Sequence, residues 1–446
     1  MYRTAVTIII FLITVLLFPT FVVIGSTDRS ENIQKNFSDI EQHWSKDTVR
    51  EAATKGYIDG YEDGNFHPDK VVTRAEFIKM LVLALKLDIQ QGTAHAWYSP
   101  FSNAAVRASI HQWSDFTSGD WNSPITREEM ARLAVRATEK ENNTDPRKWM
   151  YIATKTGLIT GLDYRGDLGQ DDSTSRAQAV TIIERVLKVR NHEELQVDKH
   201  AVAQSEVYWH KTNMFTMWQN FISAGKGGFD PENFDVSKLT VETSDGVYKG
   251  EITGIYIIDM ADPNDPFLPI IPYSIDDLYW TAGADRVQFP VREFNDSYLV
   301  YYTQTLDYNK DPENLGTPYY SSNGSIQLSL SGIGELNQVV NEIGNCCNTD
   351  HEQYERIVTH GSLEALQNIN LKLDPDFDGR VGEGLNTKKI VRVPMKIIPK
   401  NIKEWSYFIV DASVSKRSSM PYSSRIYYKP ISAQELYTST KRIELK

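Results

Sequence analysis

Few side chains in this sequence are spaced for chemistry, and the clearest group lies near the C-terminal end. Asp374, Asp376, Asp378 and Gly379 form "DPDFDG", the opening half of a calcium loop in which alternate carboxylates converge and glycine permits the sharp turn. The twelfth position is Leu385, and the nearest carboxylate, Glu383, comes two places early, so a standard EF-hand is not supported. Two readings stay open: a non-EF calcium site built from Asp374, Asp376, Asp378 and Glu383, or a solvated acidic turn. Cys346 and Cys347, with His351 and His360 downstream, make a poor zinc set because adjacent cysteines do not aim both sulfurs at one tetrahedral ion. A vicinal disulfide or free thiols fit them better. There is no G-x-S-x-G elbow, H-E-x-x-H or phosphate loop. Carboxylate pairs for a glycosidase cannot be selected from so acidic a chain without a structure.

A second pattern concerns cations in an unfavourable place. Thr73-Arg74-Ala75-Glu76, Thr126-Arg127-Glu128-Glu129 and Ser175-Arg176-Ala177-Gln178 are each [ST]-x-x-[EQ] ahead of an apolar run, the signature of a reciprocal N-terminal capping box. Each arginine then falls at the first helical position. The aligned peptide dipoles make the potential there positive, which disfavours a cation by about 0.3–1 kcal/mol. Three such placements ask for a reason. The plainest is structural, with each stem packed on a neighbour and each charge on a stray carboxylate such as Asp63 or Asp69.

The elements that position these arginines repeat. Arg74, Arg127 and Arg176 lie 53 and 49 residues apart, and Trp44 and Trp97 precede the first two by 30 each. In the first unit a helix from about Ser45 should stop at Gly56. A turn-rich loop, "YIDGYEDGNFHPDK", follows, and a second helix begins at Thr73 with Phe77, Met80, Leu81, Ala84 and Leu85 on one face. Met130, Leu133, Ala134 and Ala137 repeat that stripe, as do Val180, Ile183 and Leu187. Units this small cannot bury their own apolar faces, so the three should pack on one another.

The stretch "FSDIEQHWSKDTVREAATKGYIDGYEDGNFHPDKVVTRAEFIKMLVLAL", Phe37 to Leu85, resembles the S-layer homology domains, triplet modules that hold bacterial surface proteins on the cell wall. The second unit keeps Trp97 and "ITREEM" but lacks the Gly-Tyr-x-Asp-Gly loop. The third keeps "TGLITG" and "TSRAQ", although its Trp149 precedes Arg176 by 27 and is out of register. The resemblance implies a three-pronged spindle whose grooves bind a secondary cell-wall polysaccharide, typically bearing pyruvate ketals. It also offers a role for the arginines. A ketal carboxylate near a helix N-terminus is stabilised by free N–H groups, and an arginine there adds a charge-assisted contact worth about 1.5–3 kcal/mol. The residues that match groove positions are Asp39, Trp44, Gly64, Arg74, Glu76, Trp97, Arg127, Glu129, Arg176 and Gln178, with the first groove expected to bind best. Each tryptophan reads equally as a sugar platform or as core.

The organisation expected is therefore residues 1–25 as a secretion signal or an uncleaved anchor, the repeats at 37–88, 89–140 and 141–190, a helical segment at 191–225 that serves as a linker or as the first element of the next domain, and 226–446 as a β-rich domain. The fold class is all-α triplet followed by an all-β or α+β half. Runs such as "KLTVETSDGVYKGEITGIYIID" and "EWSYFIVDASVS" read as strands, with a sandwich-like core and short helices at 334–343 and 362–369. At 446 residues, 41% hydrophobic and 24% charged, the chain has room for two or three packed units. Its net charge of −12 argues against a nucleic-acid partner. Membrane contact is expected only through residues 5–25, if that run is retained. These readings converge on an exported, wall-anchored surface protein without catalysis, calcium being the one cofactor in question. The rival is a wall-anchored hydrolase with its site in 226–446.

Overall fold

The computed structural model describes residues 37–90, 96–116, 120–138 and 145–218, most of 231–310, and beyond that the strands between Gln327 and Tyr428. The expected signal or anchor segment, "DPDFDG" with Glu383, both cysteines and the proposed helix at 334–343 lie outside the described residues.

The first part consists of three helical hairpins: α1 (Lys46–Lys55) with α2 (Arg74–Ala84), α3 (Ser99–Arg107) with α4 (Arg127–Thr138), and α5 (Lys148–Lys155) with α6 (Arg176–Arg190). The first helix of each hairpin is followed by a residue at positive φ, namely Gly56 (79°), Ser109 (61°) and Gly157 (73°). That conformation ends a helix and turns the chain into the loop. The second helix of each begins on its capping box. In α2 the Thr73 hydroxyl accepts from Glu76 N at 3.2 Å and the Glu76 carboxylate accepts from Thr73 N at 2.8 Å. In α6 Ser175 and Gln178 exchange the same bonds at 3.3 and 2.9 Å. In α4 Thr126 and Glu129 do so at 3.2 Å each.

Phe77, Met80 and Leu81 of α2, Met130 and Leu133 of α4, and Val180 and Ile183 of α6 all enter one shared core. Burying such a side chain contributes about 1.5–3 kcal/mol, which no hairpin gains alone. Around the axis where the hairpins meet, the main chain closes a ring. Val72 N donates to Thr174 O at 2.9 Å, Thr174 N to Ile125 O at 3.0 Å, and Ile125 N to Val72 O at 3.0 Å. Each unit therefore donates to one neighbour and accepts from the other.

The helical segment after α6 is docked on both sides. Helix α7 (Lys199–His210) is capped by Asp198, whose other carboxylate oxygen accepts from Gly161 N at 3.0 Å. Gly166, in the third unit's loop, lies so close to α7 that a Cβ would fall 2.3 Å from Ala201 N. Beyond the short helix α8 (Met214–Met217) come β1 (Thr240–Glu242) and β2 (Tyr248–Asp259), antiparallel across the Ser-Asp-Gly turn with Val241 opposite Gly250. The Asn213 amide grips β2, donating to Ile257 O at 2.9 Å and accepting from Ile257 N at 2.7 Å. Residues 191–218 thus join the helices to the sheet instead of spacing them apart.

Every strand pairing described is antiparallel. With β3 (Leu278–Ala282), β4 (Val287–Pro290), β5 (Ser297–Asn309), β6 (Gln327–Ile333), β7 (Ser362–Gln367), β8 (Lys389–Val393), β9 (Met395–Pro399), β10 (Tyr407–Lys416) and β11 (Ser419–Tyr428), the sheet orders are β1-β2-β5-β9, β4-β3-β7-β8 and β11-β10-β6. The helix expected at 362–369 is instead β7. Pairing with β3 and β8 on its two edges satisfies its backbone groups and overrides the helix-forming "LEALQ".

His210 ends α7 almost fully buried, stacked on Trp209 at 3.6 Å and flanked by Phe215 and Phe234. Burial pushes its pKa down from 6.5 to about 4. A depressed histidine contributes stability that is complete above pH 6.5 and lost as pH falls toward 4, about 3 kcal/mol over that window. Measured by chemical denaturation, the stability of the parent relative to His210→Phe should fall by this amount between pH 7 and pH 4, a comparison in which the opposite trend of the buried Glu206, pushed up to about 8, is common to both. Identical slopes would mean that His210 titrates normally.

Candidate functional site

The three arginines share one geometry, and it runs between units. Arg127 Nε donates to Leu168 O at 2.7 Å and Nη2 to Thr160 O at 3.0 Å, both in the third unit's loop. Arg176 donates likewise to Phe66 O and Asp59 O of the first unit, at 2.9 Å each. Arg74 reaches the second unit, where Nη1 donates to Asp120 O at 3.2 Å while Nε and Nη2 form a fork on the Glu129 carboxylate at 3.0 and 2.5 Å. All three guanidinium groups are buried. Burial pulls Arg127 below its ordinary pKa, with Asp172 opposing.

The first helical N–H groups make the same excursion. Arg74 N and Ala75 N donate to Ser123 O and Trp121 O, Arg127 N and Glu128 N to Asp172 O and Gln170 O, and Arg176 N and Ala177 N to Lys70 O and Pro68 O. Carbonyl oxygens of the next loop therefore converge on each helix start and offset its positive potential. This is why a cation is tolerated at the first position. It also means that the N–H groups expected to hold an anion are already engaged. Neither Asp63 nor Asp69 receives an arginine: they pair with His67 and His43.

The sequence-predicted groove residues sort differently from the order in which they occur. A cleft of about 270 Å³ brings Trp44 of the first unit together with Arg127 of the second and Gln178, Thr160, Gly161 and Arg185 of the third. Trp44 and Arg74 do not share this cleft. Trp44 is 64% exposed, no carboxylate lines the cleft, and among the described residues neither arginine has a carboxylate within ion-pair distance. Arg185, which donates to Leu158 O at 3.3 Å, was not anticipated. It lies nine places after Arg176, and no capping or spacing signal marks it.

Register assigns equivalent positions in the other units. The second set is Trp97, 51% exposed and 5.9 Å from Lys79 Nζ, with Arg176 and the first loop. The third pairs Arg74 with the second loop, and Pro146 stands in the tryptophan place, two residues before its helix. Trp149 is only 2% exposed and lies under Arg136 at 4.9 Å, a core residue. Of the remaining candidates, Asp39 braces the first loop by accepting from Phe66 N at 3.0 Å and His67 N at 2.6 Å. Gly64 holds a turn at φ 79° with open space around it. Asp39, in the turn Ser38–Ile40 ahead of α1, also lines a wider depression of about 820 Å³ at the first loop, where Glu62, Asp63 and Asp69 outnumber Lys70 and stand beside His43 and His67. That acidic lining is poorly suited to an anionic polymer.

Arg176→Ala strands two loop carbonyls and opens a cavity, so it should lower unfolding free energy by about 2–5 kcal/mol in denaturant titration. Thr73→Ala, which loses only a cap bond, should cost about 0.5–2 kcal/mol. A smaller loss for Arg176→Ala than for Thr73→Ala would show that the inter-unit bonds contribute little.

Residues 36–78 match the S-layer homology domain. The chain is 30% identical over 182 residues to an amylopullulanase of Thermoanaerobacterium thermosulfurigenes, covering 34% of this chain and 10% of the other. It is 26% identical over 166 residues to the surface-layer 125 kDa protein of Lysinibacillus sphaericus, covering 32% and 14%. Over 63 residues it is 30% identical to a cellulosome-anchoring protein of Acetivibrio thermocellus, covering 14% of each. The chain thus spans between 10% and 14% of the length of these relatives. The domain match and the surface-layer relatives indicate an extracellular location at the cell surface or cell wall.

Proposed function

We propose that this chain is an exported, non-catalytic surface protein. All three hairpins act as one S-layer homology triplet that anchors it to anionic, pyruvylated secondary cell-wall polysaccharide, while the β-rich half from 226 onward is displayed for structural or adhesive use. The observation that carries this reading is the cleft that sets an exposed Trp44 beside Arg127 and Arg185 with no lining carboxylate. An indole face suits the C–H side of a pyranose. A carboxylate substituent on the same sugar is drawn to the guanidinium pair, which is weakly screened because both groups are largely withdrawn from water.

The three clefts are unequal under this reading. Arg74 is already neutralised by Glu129, and its cleft lacks the tryptophan. The cleft of Trp97 and Arg176 keeps an aromatic and a cation but carries Glu76 where the first has Gln178, since both residues close capping boxes. The site of choice is therefore the cleft between the second and third units, not the one named from Arg74. The wall-anchored hydrolase remains a rival only by the names of relatives such as the amylopullulanase, and no feature of the described residues favours it. A calcium site at Asp374, Asp376, Asp378 and Glu383 is retained as a subsidiary proposal for the second half, tested by calcium-dependent melting.

Trp44 gives a clean test because it is exposed. The full chain should pellet with cell-wall sacculi that retain their polysaccharide and stay in solution with stripped sacculi. Trp44→Ala should melt like the parent yet bind the wall at least tenfold more weakly, about 1.4 kcal/mol. Arg74→Ala should lose far less affinity. Equal binding to both kinds of sacculi, or full binding by Trp44→Ala, overturns the assignment.

A further inference from the structure

The second unit's loop departs from the other two, and we propose that it forms a further carbohydrate site, an aromatic face that takes an uncharged pyranose chain. The face includes Trp97 and the second loop but no residue of the cleft of Trp44, Arg127 and Arg185, so the proposal and the assignment of that cleft can fail separately.

Counting four residues from the positive-φ positions Gly56, Ser109 and Gly157 gives Gly60, Trp113 and Gly161. In the first and third loops a side chain is excluded there. A Cβ on Gly60 would lie 2.6 Å from the Phe37 ring, and one on Gly161 would lie 2.4 Å from Gly166 Cα. The cause is that both loops fold back, with Tyr61 N donating to Asn65 O and Leu162 N to Asp167 O. The described part of the second loop makes a tight turn, in which Asp115 N donates to Gln112 O and Gln112 N to the Asp115 carboxylate. That opens the position, and a tryptophan fills it.

Trp113 is 61% exposed. It begins a continuous series of rings: Trp113 meets Trp121 at 6.1 Å, Trp121 stacks on Tyr98 at 4.8 Å, and Tyr98 meets Trp97 at 5.8 Å. His111 and Phe116 support Trp121 from behind at 5.1 and 5.3 Å. Large aromatics left in water at both ends of a packed series forfeit burial that each would otherwise gain, so the exposed faces fit a ligand better than they fit folding. The rim carries Gln112, Ser114 and Asn122, all exposed. Amides and hydroxyls around flat apolar faces match the alternating C–H and O–H surfaces of a sugar.

Charge selects a neutral chain. The cations under this face are already paired, Arg74 with Glu129 and both Arg132 and Arg136 with the buried Asp115. On the rim, Asp120 is fully exposed and held below the usual carboxylate range by donors from Ser123 and Asn122. At the Trp113 end an anionic polymer would meet the charge of Asp120, Lys79 lying over Trp97 and Phe101 at the other end, whereas an uncharged one loses nothing by it.

The test uses the full chain, titrated by calorimetry with hexa-N-acetylchitohexaose and with cellohexaose, and with hexagalacturonate as the charged counterpart. At least one neutral hexamer should bind saturably, with an affinity insensitive to 0.5 M salt. Trp113→Gly, which installs the residue of the other two loops, should weaken that binding at least tenfold. Trp113→Tyr should retain part of it, and Trp44→Ala all of it. The proposal is overturned if neither neutral hexamer binds, if Trp113→Gly binds like the parent, or if hexagalacturonate is preferred.

Discussion

Everything in the helical part depends on a ring of main-chain hydrogen bonds in which Val72, Thr174 and Ile125 each donate to a different unit. No hairpin completes its own backbone satisfaction. The first N–H groups of α2, α4 and α6 end on carbonyls of the following loop, and the guanidinium groups beside them reach into that loop as well. Because burial of an unpaired backbone group costs about as much as a lost hydrogen bond, the loops take their native form only when the neighbouring helix is present. Loop shape, and with it any binding surface on the loops, is therefore a property of the assembled three.

The helices were legible because their signals are local. Capping boxes, the apolar stripe and Gly56 as terminator specify hairpins within one stretch of chain, and the structure forms them at the expected places. The arginines stand at the first helical positions, as their capping boxes require, but which loop each touches depends on the direction in which the units follow one another around the axis, and spacing along a chain does not encode that. The same ambiguity hid Arg185 and joined Trp44 with Arg127 instead of Arg74. Trp149 was visible in advance as out of register by its distance from Arg176, and its burial agrees with that offset. The strand at Ser362–Gln367 was missed for the opposite reason: its sequence favours a helix locally, and only the pairing with β3 and β8 reverses this.

The junction between helices and sheet was also hidden. A polar opening after Arg190 reads equally as a linker or as the first element of the next domain, and Asp198, Gly166 and Asn213 decide between them by fastening residues 191–218 at both ends. The interactions involved are single side chains reaching distant backbone, and such contacts leave no periodic trace. One outcome is that a pull on β2 is delivered to α7 through short polar bonds loaded along the strand, and from α7 into the third hairpin.

The closed ring also settles how such a chain can grow. In an open array of helical repeats an added copy finds a free end to stack upon, and length drifts by duplication. Here the third unit already returns to the first, so a fourth tandem copy would find every donor and acceptor on the axis occupied. Copy number is fixed at three by geometry, and additional units must come as a further closed set. Within a set, by contrast, only the capping residues, the arginines and the axial main chain are committed to closure. Rim positions such as those of Trp44, Trp97 and Pro146 are left to diverge, which gives one scaffold three separately adjustable faces.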